Sequence, residues 1–281
     1  MKRKLRRIVA ALAIFAAGPA MAQTLPAPML SIPRTSSGNF DWSFSTGIDY
    51  VAGKYGAKCA VSVTNLSCTT TGTTVFEIPA TAMLQLNRLR LEVTVPYVDI
   101  EGPGRFAGNF GLPVIVAPAS NEPKHRSGLG DFSFGAAWLI AREGTLFPAV
   151  ELAGITKLPT ASGNLGTGKY DYGAQVNLYR TLAPGLTAYG SLGYLWVGDI
   201  NTIKLHSGAR ATAGADFKFL SYGFGAMVDF QRSTWQGAPS YATLNPYVTW
   251  HIIGPLGVQL YTTVGLTRSS PDHGFGMRLV L

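Results

Sequence analysis

The chain has 281 residues, 47% hydrophobic and only 14% charged, with 33 glycines and a formal net charge of +8. Five basic residues and no acidic ones lie in the first 22, so the remainder holds 18 basic against 15 acidic, or +3. The high pI is thus largely a property of the leader, and no nucleic-acid partner is implied.

Lys2, Arg3, Lys4, Arg6 and Arg7 precede an apolar stretch from Ile8 to Ala17, and Ala20-Met21-Ala22 supplies an A-x-A cleavage site. Residues 1–22 therefore read as a cleaved signal peptide, too short to span a bilayer that needs about 20 apolar residues. Residues 23–38 follow as a periplasmic N-terminal segment, and 39–281 hold the folded part. No second apolar run is long enough for a spanning helix. An exported, glycine- and aromatic-rich chain of this kind suits a secreted sandwich or a transmembrane barrel.

Period-two alternation then runs almost to the end. Phe40, Trp42, Phe44, Ile48 and Tyr50 alternate with Asp41, Ser43, Ser45, Gly47 and Asp49, giving one apolar and one polar face. The pattern predicts strands at 39–52, 73–86, 88–99, 128–141, 146–158, 169–182, 186–199, 207–219, 222–233, 240–253, 256–267 and 273–281. Tight turns (Asn87-Arg88, Arg142–Thr145, Ala183-Pro184-Gly185, Leu220-Ser221, Gly254–Gly257) alternate with longer connections at 53–72, 100–127, 159–168, 200–206, 234–239 and 268–273. Short periplasmic turns and long outer loops are the layout of an outer-membrane barrel. Strand lengths agree, since a membrane strand needs about 9–11 residues and a sandwich strand about 5–6. The expected fold is all-β: an up-and-down antiparallel transmembrane barrel of about 12 strands in the bacterial outer membrane. Trp42, Tyr50, Tyr97, Trp138, Tyr172, Tyr194, Trp196, Tyr222, Phe230 and Trp250 fall on the apolar faces, many near strand ends, as girdle aromatics do.

Four prolines, Pro79, Pro96, Pro148 and Pro246, oppose a closed barrel, which has no edge strand to excuse them. They are expected at bulges, strand ends or where a strand rises above the membrane. At the other terminus, Phe275, Met277, Leu279 and Leu281 alternate with Gly274, Gly276, Arg278 and Val280. This ending resembles the C-terminal assembly signal of outer-membrane barrels, with Leu281 where Phe is usual, and it implies the barrel-assembly machinery as a partner.

If the apolar faces meet lipid, the other faces line the lumen. The lumen-lining candidates are Glu77, Arg90, Glu92, Asp131, Glu151, Lys157, Asp171, Arg210, Asp216, Lys218 and Asp229. Charges cost about 2–4 kcal/mol in hydrocarbon at the midplane, so these side chains need water or one another. They either border a hydrated passage or knit together to fill the barrel. The proline-rich connection 100–127 is the longest and stands as a possible constriction or as a solvated loop. Cys59 and Cys68 lie in a Ser/Thr-rich stretch with no His or acid nearby, which points to a disulfide in an oxidising compartment and to no metal site.

Catalysis is the competing class. The histidines are His125, His206, His251 and His273, and the sequence has no Gly-x-Ser-x-Gly elbow and no His-Glu-x-x-His helix. No catalytic residue and no cofactor site is assigned.

A further pattern runs through the glycine segments. Val95-Pro96-Tyr97 is followed by Gly128-Leu129-Gly130-Asp131, then Lys157-Leu158-Pro159-Thr160, then Leu165-Gly166-Thr167-Gly168 and Asp171. In order and spacing these segments resemble the outer-membrane channel family named for the meta-cleavage pathway of phenol degradation. The resemblance implies a transporter-type barrel and, by name only, aromatic solutes. The expected function is a monomeric outer-membrane channel passing small solutes passively. The alternatives are a structural or adhesive barrel with a blocked lumen and an outer-membrane hydrolase.

Overall fold

A computed structural model describes residues 40–61, 66–102, 105–106, 115–117, 125–162, 165–198, 205–233, 240–253 and 256–281. The side chains of 55–61, 66–71, 105–106 and 115–117 are outside that description, as are residues 1–39, on which the expected signal peptide (1–22) and N-terminal segment (23–38) fall. Fifteen strands lie within the described residues: β1 (Phe40–Val61), β2 (Leu66–Leu86), β3 (Leu89–Glu101), β4 (Arg105–Phe106), β5 (Ile115–Ala117), β6 (His125–Leu129), β7 (Ser133–Ala141), β8 (Ala149–Lys157), β9 (Asp171–Ala183), β10 (Leu186–Trp196), β11 (Gly208–Phe219), β12 (Tyr222–Gln231), β13 (Tyr241–Ile253), β14 (Leu256–Gly265) and β15 (His273–Val280). Twelve of them, β1–β3 and β7–β15, pair each with its neighbour in sequence, and β15 pairs β1, which closes the sheet. No helix among the described residues is long and apolar enough to cross a membrane; this barrel crosses with strands.

Closure is antiparallel, from Ser45 opposite Val280 to Ala52 opposite His273. It is finished by reciprocal backbone bonds in which Phe44 donates to Leu281 (3.0 Å) and Leu281 to Phe44 (2.8 Å). Alternation divides the residues between two media. Phe134, Trp138, Leu152, Val176, Leu192, Phe224, Val248 and Leu260 stand exposed on the outer surface, a band that only lipid satisfies. The turns between β2 and β3, β9 and β10, and β11 and β12 are tight, with positive φ at Asn87, Gly185 and Leu220, and mark the periplasmic end.

The prolines are explained by interruptions in hydrogen bonding. Pro79 and Pro96 face each other across β2 and β3. On Pro79's other side the β1–β2 ladder skips from Thr46–Ala80 to Asp49–Glu77. On Pro96's other side the partner changes from β7, ending at Thr94–Ser133, to β6, beginning at Tyr97–Leu129. Pro246 sits where β13–β14 pairing skips from Leu244–Val264 to Tyr247–Tyr261, and Pro148 precedes the first residue of β8. Each missing N–H thus falls at a gap or a strand start.

Two boundaries differ from the sequence reading. The expected strand 128–141 is broken at 130–132 into β6 and β7, because Gly130 donates to the Pro96 carbonyl (2.9 Å) instead of continuing the ladder. The β1–β2 hairpin runs well past its expected ends, with Gly56–Thr71 to Val61–Leu66 paired beyond a register shift at Gly53/Gly56. β5 lies parallel to β1 along this extension, and β4 pairs with β5.

Candidate functional site: the lumen and its outer mouth

The inward face is built of rows crossing several strands. Toward the periplasmic end, Glu151 Oε1 on β8 accepts from Arg90 Nη2 of β3 (2.7 Å) and from Asn177 Nδ2 of β9 (2.7 Å), and Gln175 donates to Asn177 Oδ1 (2.7 Å). On the far wall, Asp229 accepts from Thr212 (2.7 Å) and from Asn245 Nδ2 (3.0 Å), while Thr263 donates to Asn245 Oδ1 (2.8 Å). Asp216 accepts from the Tyr247 hydroxyl (3.2 Å), and the Tyr189 and Tyr247 hydroxyls lie 3.3 Å apart.

Three of the inward aromatics are seated on glycine. Tyr189 is directly opposite Gly214, Tyr247 opposite Gly225, and Tyr261 opposite Gly276. A Cβ at any of the three glycines would collide with the facing ring. A ring of this size therefore lies flat against the wall only because its cross-strand neighbour has no side chain. Tyr189, Tyr247 and Tyr261 were not among the sequence candidates; the opposed Tyr–Gly parity is the signal that identifies them.

The predicted lumen residues divide into two groups. Arg90, Asp131, Glu151, Lys157, Asp171, Arg210, Asp216 and Asp229 are buried. Glu77 and Glu92 are partly exposed, and Lys218 near the periplasmic end is exposed. Glu77 on β2 and Glu92 on β3 belong to inward faces, so their exposure is toward the barrel interior. Asp49, Thr81, Met83, Gln85 and Arg278 share it. The inward side chains of β8–β14 are thus mostly buried, and the more open side is β15–β1–β2–β3, where buried Ser43, Ser45, Arg90 and Thr94 stand among partly exposed neighbours.

At the outer end the described part of the β8–β9 connection packs against the inward face of β2 and β3. Lys157 Nζ, at the top of β8, is within 3.0 Å of three oxygens: Asp131 Oδ2 (2.9 Å), Asp171 Oδ2 (2.9 Å) and Thr167 Oγ1 (3.0 Å). Lys157 is 0% exposed and the two carboxylates at most 2%. Each carboxylate also fixes a loop. Asp131 Oδ1 accepts from the Ala161 amide (2.9 Å), and Asp171 Oδ1 from the Gly198 amide (2.9 Å). Thr160 accepts from the Phe132 amide (2.8 Å), and the Ser162 amide donates to the Leu129 carbonyl (3.0 Å). So tethered, the loop turns inward and buries Leu165 against Val75, Val98 and Ile100, with Val51 and Ala161 at the edge. A Cβ at Gly166 would press on the Asp131 carboxylate. The short motifs scattered through 128–171 converge here, as one latch and one plug.

The longest connection, by contrast, contributes little to the mouth in what is described. Its pieces β4, β5 and β6 pair along the wall, and the rest of 100–127 lies outside the described residues. Cys59 and Cys68 are opposite each other in the β1–β2 backbone register, with their side chains outside the description. His125 lies 3.0 Å from Asp99 Oδ1 at the surface, and His251 Nδ1 lies 3.3 Å from the Ser221 carbonyl; neither contact activates a hydroxyl. Among the described residues no group of three or more His, Cys, Asp or Glu side chains is arranged to hold a metal ion.

A closed barrel with an apolar exterior, a polar interior and a looped-in mouth defines an integral protein of the outer-membrane barrel class. The chain belongs to the family described as "Putative MetA-pathway of phenol degradation", whose model matches residues 44–276. Among solved structures it is similar to an outer membrane channel from Pseudomonas putida F1, with TM-score 0.64 and 11% identity over 94% of this chain and 98% of that one. Weaker likenesses are a TodX mutant monoaromatic hydrocarbon channel (TM-score 0.45, 9% identity, 85% and 88% covered) and the CymD monoaromatic hydrocarbon channel (TM-score 0.40, 8% identity, 85% and 86% covered). No curated protein matches by sequence.

Proposed function

We propose that this protein is a passive outer-membrane channel for small solutes whose outer mouth is closed by the β8–β9 loop. The observation that carries this is the composition of the closure. Leu165 on a tethered loop packs against the inward residues Val75, Val98 and Ile100 at the outer end, while below it Asp49, Glu77, Thr81, Met83, Gln85 and Glu92 of β1–β3 stay partly exposed. A lumen sealed for structural reasons has no need of an open side beneath its plug. The fold is shared with a protein that is an outer membrane channel, and the family name and the hydrocarbon channels of similar outline make small aromatic or hydrophobic molecules the first solutes to try.

The protein acts without catalysis in this account and works as a monomer. Residues 1–22 are removed on export, the C-terminal strand addresses the chain to the barrel-assembly machinery, and lipid is its solvent. Cys59 and Cys68 form a disulfide that staples the hairpin above the membrane, worth roughly 2–3 kcal/mol on the chain-entropy model. The inward candidates Glu77, Arg90, Glu92, Asp131, Glu151, Lys157, Asp171, Arg210, Asp216, Lys218 and Asp229 divide between framework, latch and passage.

The test is conductance of the purified chain in a planar bilayer, beside a variant lacking the plug side chain, Leu165→Gly. Channel events that grow larger or more frequent in the variant support the reading. A second reading, a structural barrel, is favoured by the dense packing of β8–β14, and it wins if neither protein conducts although both are assembled.

A further inference from the structure

We infer that the passage selects by charge, admitting cations and excluding anions, and that Glu77 and Glu92 are its selectivity-determining residues. This rests on the channel reading.

The argument begins with where the luminal charges are used. Among the inward cations, Lys157 is enclosed by Asp131 and Asp171, and Arg90 is bonded to Glu151; all five residues are buried. Arg210 and Arg126 are buried as well. Lys218 stands near the periplasmic end of the opposite wall, beside Asp216. On the open side, among the described residues, Arg90 of β3 is committed to Glu151 of β8, and Arg278 of β15 is held by both carboxylate oxygens of Asp49 and lies 5.7 Å from the Tyr261 ring centroid.

The carboxylates of the open side are distributed differently. Glu77 is directly opposite Asp49 in the β1–β2 register, so two acids on adjacent strands share one guanidinium. Like charges placed directly opposite are destabilising in a sheet. Among the described residues neither Glu77 nor Glu92 makes a contact ion pair or a side-chain hydrogen bond; Arg278 and Arg90, the cations nearest to them, are bonded to Asp49 and Glu151. Glu92 is opposite Met83, six residues along β2 from Glu77, or roughly 20 Å at the strand rise. Two carboxylates whose nearest arginines are already bonded to other acids therefore mark the open wall at two depths, and both are partly exposed.

Charge in a narrow lumen with low-dielectric walls focuses field lines and raises the local concentration of counter-ions. Acidic side chains along such a path favour cations over anions. For organic solutes the same field favours amines over carboxylates and leaves neutral molecules to be sorted by size and apolar contact.

The experiment is the reversal potential of the full chain in a planar bilayer under a KCl gradient. The wild type, Glu77→Gln, Glu92→Gln and the double variant are compared, with Asp99→Asn as a control outside the lumen. Heat-modifiable gel mobility confirms that each is folded. A several-fold preference for K+ over Cl− is expected in the wild type and in Asp99→Asn, falling in each single variant and approaching parity in the double variant. Anion preference or no preference in the wild type overturns the proposal while leaving a channel. Cation preference unchanged in the double variant overturns the assignment to these two residues. Absence of conductance in both the wild type and Leu165→Gly overturns the channel reading and this inference with it.

Discussion

At the scale of single residues, Lys157 is the most exacting position in the molecule. Its ammonium group compensates two carboxylates that have no route to water. Removing one partner of a buried ion pair costs about 3–5 kcal/mol, because the remaining charge is left uncompensated. Lys157→Ala is therefore expected to lower the temperature of the heat-modifiable gel shift markedly, and Asp171→Asn, which keeps Lys157 paired with Asp131, by less. Equal shifts in the two variants would mean that the lysine is not the hub. The glycines supply a second residue-scale contrast. Gly225 lies beneath the Tyr247 ring, whereas an added Cβ at outward-facing Gly154 would meet nothing nearer than the Gly173 carbonyl oxygen at 3.8 Å. Overpacking costs about 1–3 kcal/mol, so Gly225→Ala is expected to destabilise in urea unfolding from detergent or lipid. Gly154→Ala is expected to be neutral or slightly stabilising.

At the scale of elements, the β8–β9 loop is, among the described connections, the one whose placement argues for regulation of passage. Its hold on the mouth has two components, an ionic latch at Asp131, Lys157 and Asp171 and an apolar plug at Leu165. They should be separable. Leu165→Gly removes the plug and keeps the latch, so single-channel conductance should rise while the thermal shift changes by less than in Lys157→Ala. The motifs that compose this device were visible in the sequence as Gly-Leu-Gly-Asp, Lys-Leu-Pro-Thr and Leu-Gly-Thr-Gly, but they read there as turn and strand-entry signals. Local sequence carries the conformation of each piece; it does not show that residues 26 and 40 positions apart meet in one buried cluster. The connection 100–127, singled out by length and proline content as a constriction or a solvated loop, lies mostly outside the described residues. The prolines had a different outcome. They counted against a barrel until pairing showed each N–H position at a gap in the ladder or a strand start.

At the scale of the whole molecule, period-two alternation was enough to give twelve strands, the inside and outside of each, and the alternation of short and long connections. Those are consequences of two solvents, and every residue records which one it meets. What the alternation could not show was how full the lumen is, because a polar inward face is compatible with water or with neighbouring side chains. Closure of the circle completes the argument. The last strand ends against the first, and Leu281 exchanges both backbone bonds with Phe44. An unpaired edge at that seam would expose a row of polar groups to lipid, where each costs several kcal/mol. A terminal side chain that disfavours the seam or its recognition should therefore act on yield more than on the properties of the assembled barrel. Leu281→Phe, which matches the usual ending of such barrels, is expected to keep or raise the amount in the outer membrane. Leu281→Asp, which places a charge at the closing strand, should lower it, with the surviving molecules retaining wild-type heat-modifiable mobility. The check is quantitative immunoblotting of fractionated membranes beside the gel shift. Equal yield from all three proteins would show that the closing strand is held by its backbone alone and that its last side chain carries no assembly signal.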